Sequence, residues 1–581
     1  MQFLRFMLAV SVALTGTGAV TAPAPRHPTK PALAVRRIAG GHLFGRTEAE
    51  PEPASAFALC RGVRTWRGER VAVGDAHGRL VAGRDLVNLA APFAIAAVDD
   101  GGRLSVATDH VGLGHVYAAR GAGWAAVSSS ARELARLSGA PLDHEAMGVF
   151  RLVGHHLGTL TPYRGITKIP PGSIWRVADG ELTVEPYPGP AAEPVPLATG
   201  AAVRRHGELL RAAVGGFLDT HPGTVIELSG GLDSRTVLAA IPPERRGEVR
   251  ALTLGHPGST DIAVAAGLAQ RYGMPHQIID LTAMADVEPA EAYRAAIAAA
   301  ERLDGLGSPL GAAALDWVER QVGGDPRLGG HGGELARGAY YMQRQHPRVE
   351  PGLVDRLAAW WVTANHAVPD EVLEPAFAAH SRATTRQRLR ETFAGYRTDW
   401  LTATDEFYLR ERLHRWAGLT LTDAASHRVV ANPLLDPEVL TVIRGVPREQ
   451  RSGSRYAARV LDWLDADLAR LPLGSGLRPI SLSRQVTLSR QLGENTVRGF
   501  AQKAVNKVGR RFGRPANPAV GTAALAAAVT AHLRRHPDLL APAVGTGLVN
   551  VAWVDDYLSG RADASPPTVD LLLNLVVATA P

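Results

Sequence analysis

Short apolar runs broken by turn residues make up the chain from about residue 35 to about residue 185. Runs such as FAIAAVDD and WAAVSSS contain branched or aromatic residues and lie beside DDGG and RGAG turns, a pattern that predicts β-strands. The pattern SARELARLSG predicts a short helix that ends at Ser138, with Gly139 in a left-handed C-cap. Two alternating runs on either side of Asp179 and Gly180 predict a hairpin. This part of the chain is therefore predicted to be β-rich.

The pattern changes at Gly200. Helical periodicity then alternates with the short apolar runs TVIEL, RALTLG and HQIIDL, which predicts a parallel α/β sheet. After about residue 340 the pattern is mostly helical. The stretch from Pro186 to Gly200 is rich in proline and alanine without periodicity, as expected of a linker. We therefore predict a β-rich domain over residues 1–190, an α/β domain over residues 200–480 and a helical C-terminal extension over residues 481–581.

Composition changes this picture little. The chain has 581 residues, of which 46% are hydrophobic and 20% charged, as in globular proteins of two or more domains. The formal net charge of +7 weakly favours anionic ligands. Almost all basic residues are arginines, so a role that requires lysine has few candidates: Lys30, Lys168, Lys503 and Lys507.

The single cysteine, Cys60, excludes a disulfide or a cysteine-based zinc site within one chain and favours a cytoplasmic protein. Its apolar surroundings predict a buried strand residue, with a nucleophile as the alternative. The apolar N-terminus, residues 1–20, is interpreted as a first buried strand; a secretory signal is the alternative. We predict no membrane span.

The loop SGGLDS, directly after TVIEL, is the first candidate binding site. In a parallel sheet, ligands bind beyond the carboxyl ends of the strands. Gly230 and Gly231 allow backbone N–H groups to approach an anion, and Ser229 and Ser234 add hydroxyl groups. Asp233 would repel a phosphate unless a divalent cation lies between them. The alternative is an ordinary strand-to-helix turn with an N-cap at Ser229.

This loop resembles the pyrophosphate loop of the ATP-pyrophosphatase superfamily, whose members cleave ATP to AMP and pyrophosphate. A second loop, RLGGHGGELARGAYY, resembles the G-x-G-x-D/E loop of asparagine synthetases and their relatives. The resemblance implies ATP and Mg²⁺, with Glu334 as a second metal ligand facing Asp233. Matching positions in this loop are Gly330, Gly332, Gly338 and Tyr340.

The resemblance extends over roughly residues 50–480. It implies that Thr253, Leu254 and Gly255 lie against adenine and ribose, and that Leu228 packs on the base. The segment with Asp436 is similar to a P-F-L-D segment of the family. The implied fold is α/β and α+β: an N-terminal degenerate Ntn-glutaminase-like β-rich sandwich, and a C-terminal ATP-pyrophosphatase (adenine nucleotide α hydrolase-like) parallel sheet with helices.

Glutamine-hydrolysing asparagine synthetases carry a cysteine directly after the initiator methionine, where this chain has Gln2. An N-terminal nucleophile with its own amine as base is not available from these residues. The nitrogen nucleophile is therefore expected to come from the substrate. Two related families work in this way, the β-lactam synthetases and the lasso peptide cyclases. The cyclases adenylate an Asp or Glu side chain of a core peptide, whose N-terminal amine then closes an isopeptide ring.

Two features favour the cyclases. His331 stands where β-lactam synthetases place a tyrosine base, and a histidine can accept a proton from an attacking ammonium. The segment LARLPLGSGLRPISLSR lacks the lysine that stabilises the adenylate in β-lactam synthetases, and Arg478 could supply that charge. Lys503 and Lys507 lie further along the chain.

The cyclase resemblance implies a precursor peptide, a leader peptidase and a leader-recognition protein as partners, and neither nucleic acid nor a membrane. The basic stretch after Ile480 is either a solvated helix face or a docking surface. Two other functions remain open: a small-molecule synthetase of the β-lactam or asparagine type, and a scaffold without activity.

Overall fold

The computed structural model describes residues 63–98, 103–121, 124–178, 181–187, 195–341, 345–364, 366–484 and 521–579, with the backbone of four further strands between residues 11 and 58. The predictions made for Gln2, Cys60, Lys30, Lys503 and Lys507 lie outside the described residues. No helix in the described part of the chain is both long and apolar enough to cross a membrane.

The first third of the described chain forms two antiparallel sheets. One has the strand order β11-β9-β10-β1-β3-β2 and the other the order β13-β12-β8-β7-β4. A short β5–β6 pair lies apart from them. The strands are β1 Ser11–Thr15, β2 Ala34–Ile38, β3 Gly41–Gly45, β4 Ala56–Ala58, β5 Val63–Arg64, β6 Arg70–Val71, β7 Ala94–Val98, β8 Leu104–Thr108, β9 Tyr117–Gly121, β10 Trp124–Ser128, β11 Thr167–Lys168, β12 Ser173–Ala178 and β13 Glu181–Pro186.

The two sheets pack face to face. Ala125 and Val127 of β10 share one buried cluster with Val106 of β8 and with Trp175 and Val177 of β12, because alternate side chains of a strand point to the same face. The pattern predicts this β-rich region, and the resemblance implies the sandwich; its Ntn-glutaminase-like character stays a prediction.

Two local predictions in this half are confirmed. The hairpin pairs β12 with β13, with Ala178 opposite Glu181. The predicted helix spans Ala131–Ser138, and Gly139 closes it in the left-handed conformation with φ 66°.

The second half contains a five-stranded parallel sheet with the order β16-β15-β14-β17-β18. The predicted strands of TVIEL, RALTLG and HQIIDL are all present. β14, the first of them in the chain, lies in the middle, so connections leave it in both directions. Such a switch point is where open α/β sheets bind ligands. The strands are β14 Val225–Glu227, β15 Arg250–Gly255, β16 His276–Asp280, β17 Arg327–Leu328 and β18 Val430–Ala431.

Helices cover both faces of this sheet. Val225 packs in one buried cluster and its neighbour Ile226 in another, as expected when a strand is buried on both sides. The α-helices before and around the sheet are Val73–Ala82, Ala131–Ser138, His144–Val153, Thr199–Thr220, Leu232–Ala240, Thr260–Arg271, Pro289–Arg302, Pro309–Val322, Gly333–Arg337, Pro351–Leu357 and Pro375–Gly395.

The chain beyond residue 400 is mostly helical, as predicted. Its α-helices are Trp400–Phe407, Gly418–His427, Pro437–Arg444, Arg448–Arg451, Arg455–Leu464, Ala466–Arg470, Pro479–Ser483, Thr522–Arg535, Ala541–Val544, Val551–Leu558 and Pro566–Thr579. Ala358–Val362 and Tyr408–Ala417 are π-helical. Short 3₁₀ turns are Leu86–Asn88, Pro243–Glu248, Leu281–Asp286, Asp370–Val372, Pro433–Leu435, Ser452–Ser454 and Pro537–Leu540.

The last helix, Pro566–Thr579, is packed into the same core as the sheet. Its leucines 571, 572, 573 and 575 are buried, and Asp570 accepts hydrogen bonds from the Ser308 hydroxyl at 2.6 Å and from the Leu310 N–H at 2.9 Å. The C-terminal helices therefore pack against the α/β domain. The three domain boundaries stay predictions.

Candidate active site

The loop after β14 is held by two serines. Helix Leu232–Ala240 begins after Gly231, which is its N-cap in extended conformation. The Ser229 hydroxyl accepts the Gly231 N–H at 3.2 Å and lies 3.0 Å from the Ser234 hydroxyl. Ser229 thus stabilises the turn from two residues before the N-cap.

Gly230 has a crowded position that its lack of a side chain permits. A Cβ there would lie 3.1 Å from the Gly474 backbone and 2.7 Å from an Asp261 carboxylate oxygen. The Gly230 N–H donates to Asp261 at 2.9 Å, and its carbonyl accepts from the Gly474 N–H at 2.9 Å. The sequence predicts that the Gly230 N–H faces an anion, whereas in the structure the Asp261 carboxylate accepts it. An incoming phosphate would have to replace that carboxylate.

The second loop follows β17 and meets the first one. Gly332 has φ 103°, a conformation that side chains rarely tolerate, and helix Gly333–Arg337 begins directly after it. A Cβ on Gly333 would lie 2.3 Å from the Asp233 carboxyl carbon, and one on Gly330 would lie 3.1 Å from the Ser234 nitrogen. The glycines of the second loop therefore let its backbone touch Asp233.

The two predicted metal ligands are brought together, as the resemblance implies. Asp233 lies 2.9 Å and Glu334 3.3 Å from the same nitrogen, Nη2 of Arg337. The Tyr408 hydroxyl donates to the other Glu334 oxygen at 2.7 Å. Burial raises the pKa of Asp233 to about 6; the Arg337 guanidinium opposes this rise and the Glu334 carboxylate adds to it.

The donor chemistry of this pair suits Mg²⁺. Two carboxylates at the mouth of a phosphate-type loop are the oxygen ligands that Mg²⁺ takes when it also binds substrate phosphates. One arginine neutralises only part of their charge. Asp233 and Glu334 would hold the ion, but Arg337 contacts the same oxygens and would have to share or leave them.

Both loops border a cavity of about 440 Å³. The predicted site residues that line it are Leu228, Ser229, Asp233, Ser234, Leu254, Gly330, His331 and Glu334. Thr253 lies behind this wall: its hydroxyl donates to the Leu228 carbonyl at 2.8 Å and contacts His276 Nε2 at 2.9 Å. Gly230, Gly231 and Gly255 do not line the cavity either. These four residues were predicted to lie around the nucleotide, and none of them forms the cavity wall.

Arg478 is one of the two residues predicted to be catalytic. It precedes helix Pro479–Ser483 and is not among the described residues that line the cavity, so its catalytic role stays a prediction. His331 does line the cavity, and its role as a base also stays a prediction. Asp436 has a structural task, because its carboxylate caps helix Pro437–Arg444 and accepts the Glu438 N–H at 2.8 Å.

Several residues at this site were not predicted from the sequence. Arg337 lies one helical turn after Glu334, a spacing that could have indicated a pair. Tyr408 gives no local signal. On the far wall of the cavity, side-chain ligand atoms of Asp316, Asp423 and His427 lie within 4.8 Å of one another.

An arginine already contacts both acids of this group. Arg302 Nη2 lies 2.9 Å from Asp316, and the Arg302 Nε and Nη2 atoms contact both oxygens of Asp423. His427 Nε2 lies 3.3 Å from the other Asp316 oxygen. The three potential ligands are therefore part of an ion-pair network, and their atoms carry no argument for a second metal ion.

Comparison with known proteins supports the coarse interpretation of this site. The asparagine synthase family matches residues 206–463, which include both loops. This part of the chain is therefore similar to the asparagine synthase family. Proteins of Mycobacterium bovis and Mycobacterium tuberculosis, each described as a candidate glutamine-hydrolysing asparagine synthetase, are 25% identical over 430 residues. The match covers 64% of this chain, and the chain spans 64% of the length of these relatives.

Two solved structures show more distant similarity. The allosteric regulatory enzyme of purine biosynthesis aligns with 10% identity and a TM-score of 0.19, over 47% of this chain and 59% of that chain. Glutamine phosphoribosylpyrophosphate amidotransferase from B. subtilis, in complex with ADP and GMP, aligns with 11% identity and a TM-score of 0.18, over 47% and 60%.

Proposed function

We propose that this protein is an ATP-dependent, AMP-forming carbon–nitrogen ligase, and that it acts as a lasso peptide cyclase. The observation that carries the ligase proposal is the meeting of Asp233 and Glu334 at the carboxyl edge of the parallel sheet, in a cavity lined by both loops. The similarity of residues 206–463 to the asparagine synthase family supports the same chemistry. ATP and Mg²⁺ are the proposed nucleotide and metal.

In the proposed reaction, an Asp or Glu side-chain carboxylate of a leader-trimmed core peptide attacks the α-phosphorus of ATP. The bond to the β-phosphate breaks, which gives an acyl-adenylate and pyrophosphate. The N-terminal amine of the same peptide then attacks the acyl carbon and loses a proton, and AMP leaves. The product is an isopeptide-bonded macrolactam, lighter than the linear peptide by one water.

The cavity residues divide this work between them. Leu228 and Leu254 offer apolar contacts for the adenine ring, while Ser229 and Ser234 present hydroxyl groups towards the phosphates. Asp233 and Glu334 would hold Mg²⁺, which when bound offsets the charge of the phosphates and of the leaving pyrophosphate. His331, in the cavity wall, is the proposed acceptor of the proton that the amine loses.

The choice of a cyclase rests on the sequence. Gln2 stands where a glutaminase needs its cysteine, so the amine is proposed to come from the substrate itself. The proposed partners are the core peptide, a leader peptidase and a leader-recognition protein, with neither nucleic acid nor a membrane. We propose a cytoplasmic location, where ATP is available.

The test uses the purified full chain with ATP, Mg²⁺ and synthetic linear peptides, each with a free N-terminal amine and one Asp or Glu. We expect AMP and pyrophosphate release, and a product lighter by one water in mass spectrometry. Matched peptides with an acetylated N-terminus, or with Asn or Gln in place of the acid, should give no such product. Release of ADP in place of AMP would contradict the ligase proposal itself.

A small-molecule amide synthetase is the second candidate, and the similarity to asparagine synthetases favours it. Such an enzyme would release AMP with free amino acids and an amine source. Incubation with aspartate and ammonia, or with a panel of small β-amino acids, separates it from a cyclase. AMP release with these substrates, and none with any peptide, would replace the cyclase proposal.

A further inference from the structure

Arg337 occupies the place between the two acids of the candidate metal site. Its Nη2 lies 2.9 Å from Asp233 and 3.3 Å from Glu334. Its Nε is buried, and no hydrogen-bond partner for that atom lies within the part of the chain that the structure describes. The guanidinium therefore stands where a metal ion would stand, and one of its donors still lacks an acceptor.

The backbone that carries Arg337 is fixed. Helix Gly333–Arg337 ends at Gly338, which has φ 57° and donates its N–H to the Leu335 carbonyl at 3.3 Å. The N–H of Ala339 donates to the Glu334 carbonyl at 3.1 Å. Any adjustment around the acids is therefore a movement of the long arginine side chain, which is 30% exposed.

An arginine and a divalent cation cannot both remain in full contact with the same two carboxylates, because the two cations repel each other. The metal, with its higher charge, attracts the acids more strongly. The guanidinium also has an alternative partner in the nucleotide, since its five donors match phosphate oxygens in a two-pronged geometry. Binding of metal and nucleotide together would satisfy all of these groups.

We propose that Arg337 is a phosphate-binding residue that holds the cation position between Asp233 and Glu334 in the nucleotide-free protein. When a divalent cation and a nucleoside triphosphate bind together, the acids pass to the metal and Arg337 turns to the phosphate oxygens. This inference rests on the ATP site of the proposed function. Arg337 would then place a positive charge beside the phosphates, whereas the sequence suggests Arg478 for the charge beside the adenylate.

The first test measures Mn²⁺ binding to the nucleotide-free full chain by electron paramagnetic resonance at pH 8. We expect weak binding to the wild type and about tenfold tighter binding to Arg337→Met, because this change removes the competing cation. The control is Arg390→Met, which removes an arginine 2.6 Å from Asp355 on another part of the surface. It should leave Mn²⁺ binding unchanged.

The second test measures binding of α,β-methylene-ATP with Mg²⁺ to the same proteins by calorimetry. Here Arg337→Met should bind about tenfold more weakly, since it loses charge-assisted hydrogen bonds to the phosphates. Opposite changes in the two affinities distinguish a phosphate ligand from a residue that only supports the fold. Arg337→Lys keeps one charge but loses the fork, so both affinities should fall between those of the wild type and Arg337→Met.

Parallel or absent changes overturn the proposal. Arg337 is only a structural ion-pair partner if Arg337→Met weakens the binding of both Mn²⁺ and the nucleotide. The same conclusion follows if Arg337→Met leaves Mn²⁺ binding unaltered. Melting temperatures identify a variant that does not fold, and Arg337→Lys then carries the comparison. Neither test contains a peptide, so a failure to find any AMP-forming substrate would contradict the proposed function and leave these results standing.

Discussion

Replacing Gly333 with Ala should disable the proposed metal site without unfolding the protein. The added methyl group would lie 2.3 Å from the carboxyl carbon and from one oxygen of Asp233. The group it meets is the end of a side chain, which can rotate away, and no backbone atom lies as near. Helix Gly333–Arg337 can accept alanine, since the φ of Gly333 is not in the left-handed region. The damage should therefore fall on the position of Asp233.

The size of the effect follows from the contact distance. Ordinary contacts of a Cβ begin at 3.4 Å, so the Asp233 carboxyl group must withdraw by about 1 Å, a displacement that can cost about 100-fold in rate at a reacting centre. The same shift separates Asp233 from Arg337. We expect the catalytic efficiency of AMP formation to fall about 100-fold, and the affinity for Mg²⁺ with α,β-methylene-ATP to fall with it.

The assay compares Gly333→Ala with Gly215→Ala, in which the added methyl group meets no atom within 4 Å in helix Thr199–Thr220. Calorimetry gives nucleotide affinity, and differential scanning fluorimetry gives the melting temperature. Gly215→Ala should bind normally and be slightly more stable, because alanine favours a helix over glycine by ~1 kcal/mol. Normal nucleotide binding by Gly333→Ala would refute the geometry described for Asp233.

Three further predictions concern single side chains. Tyr408→Phe removes the hydrogen bond to Glu334. Because hydrogen bonds to charged groups contribute ~1.5–3 kcal/mol, the KM for ATP should rise about tenfold. An unchanged KM would argue against a role of Tyr408 in positioning Glu334. Arg451→Met removes the guanidinium 2.8 Å from buried Asp405, which should cost ~3–5 kcal/mol and be seen as a lower melting temperature. Burial raises the pKa of Asp570 to about 7, so the folded chain binds the extra proton and stability falls as pH rises from about 4 to 7; Asp570→Asn should flatten that part of the melting-temperature profile.

The parallel sheet and both loops could be predicted because their signals are local. Each strand is a short apolar run beside a helical pattern, and each loop carries its glycines and its acid within a few residues. Strands placed side by side in a parallel sheet bring their carboxyl ends to one edge. The resemblance implied that Asp233 and Glu334 meet, and the pairing of β14 with β17 brings them together although 101 positions of chain run from one residue to the other.

The partners of these residues could not be predicted in the same way. Tyr408 reaches Glu334 across 74 positions of sequence and Asp261 reaches Gly230 across 31. In each case the contact depends on how helices pack on the sheet, and no periodicity records that. The Gly230 N–H is the clearest example. The glycine predicts a backbone N–H that binds an anionic ligand, but in the structure this N–H donates to the Asp261 carboxylate of the next helix.

The π-helical segment Tyr408–Ala417 connects the β-rich half to the candidate site. At one end Tyr408 donates to Glu334 at 2.7 Å. Further along, Glu411 accepts the Gly158 N–H at 2.7 Å, and the Lys168 amine donates to the His414 carbonyl at 2.9 Å.

Both Gly158 and Lys168 belong to the β-rich half. π-helices are rare, and those that occur are frequently at functional sites. The β-rich half contacts the same segment that orients the Glu334 carboxylate. The β-rich half therefore has a physical link to the candidate site through this segment.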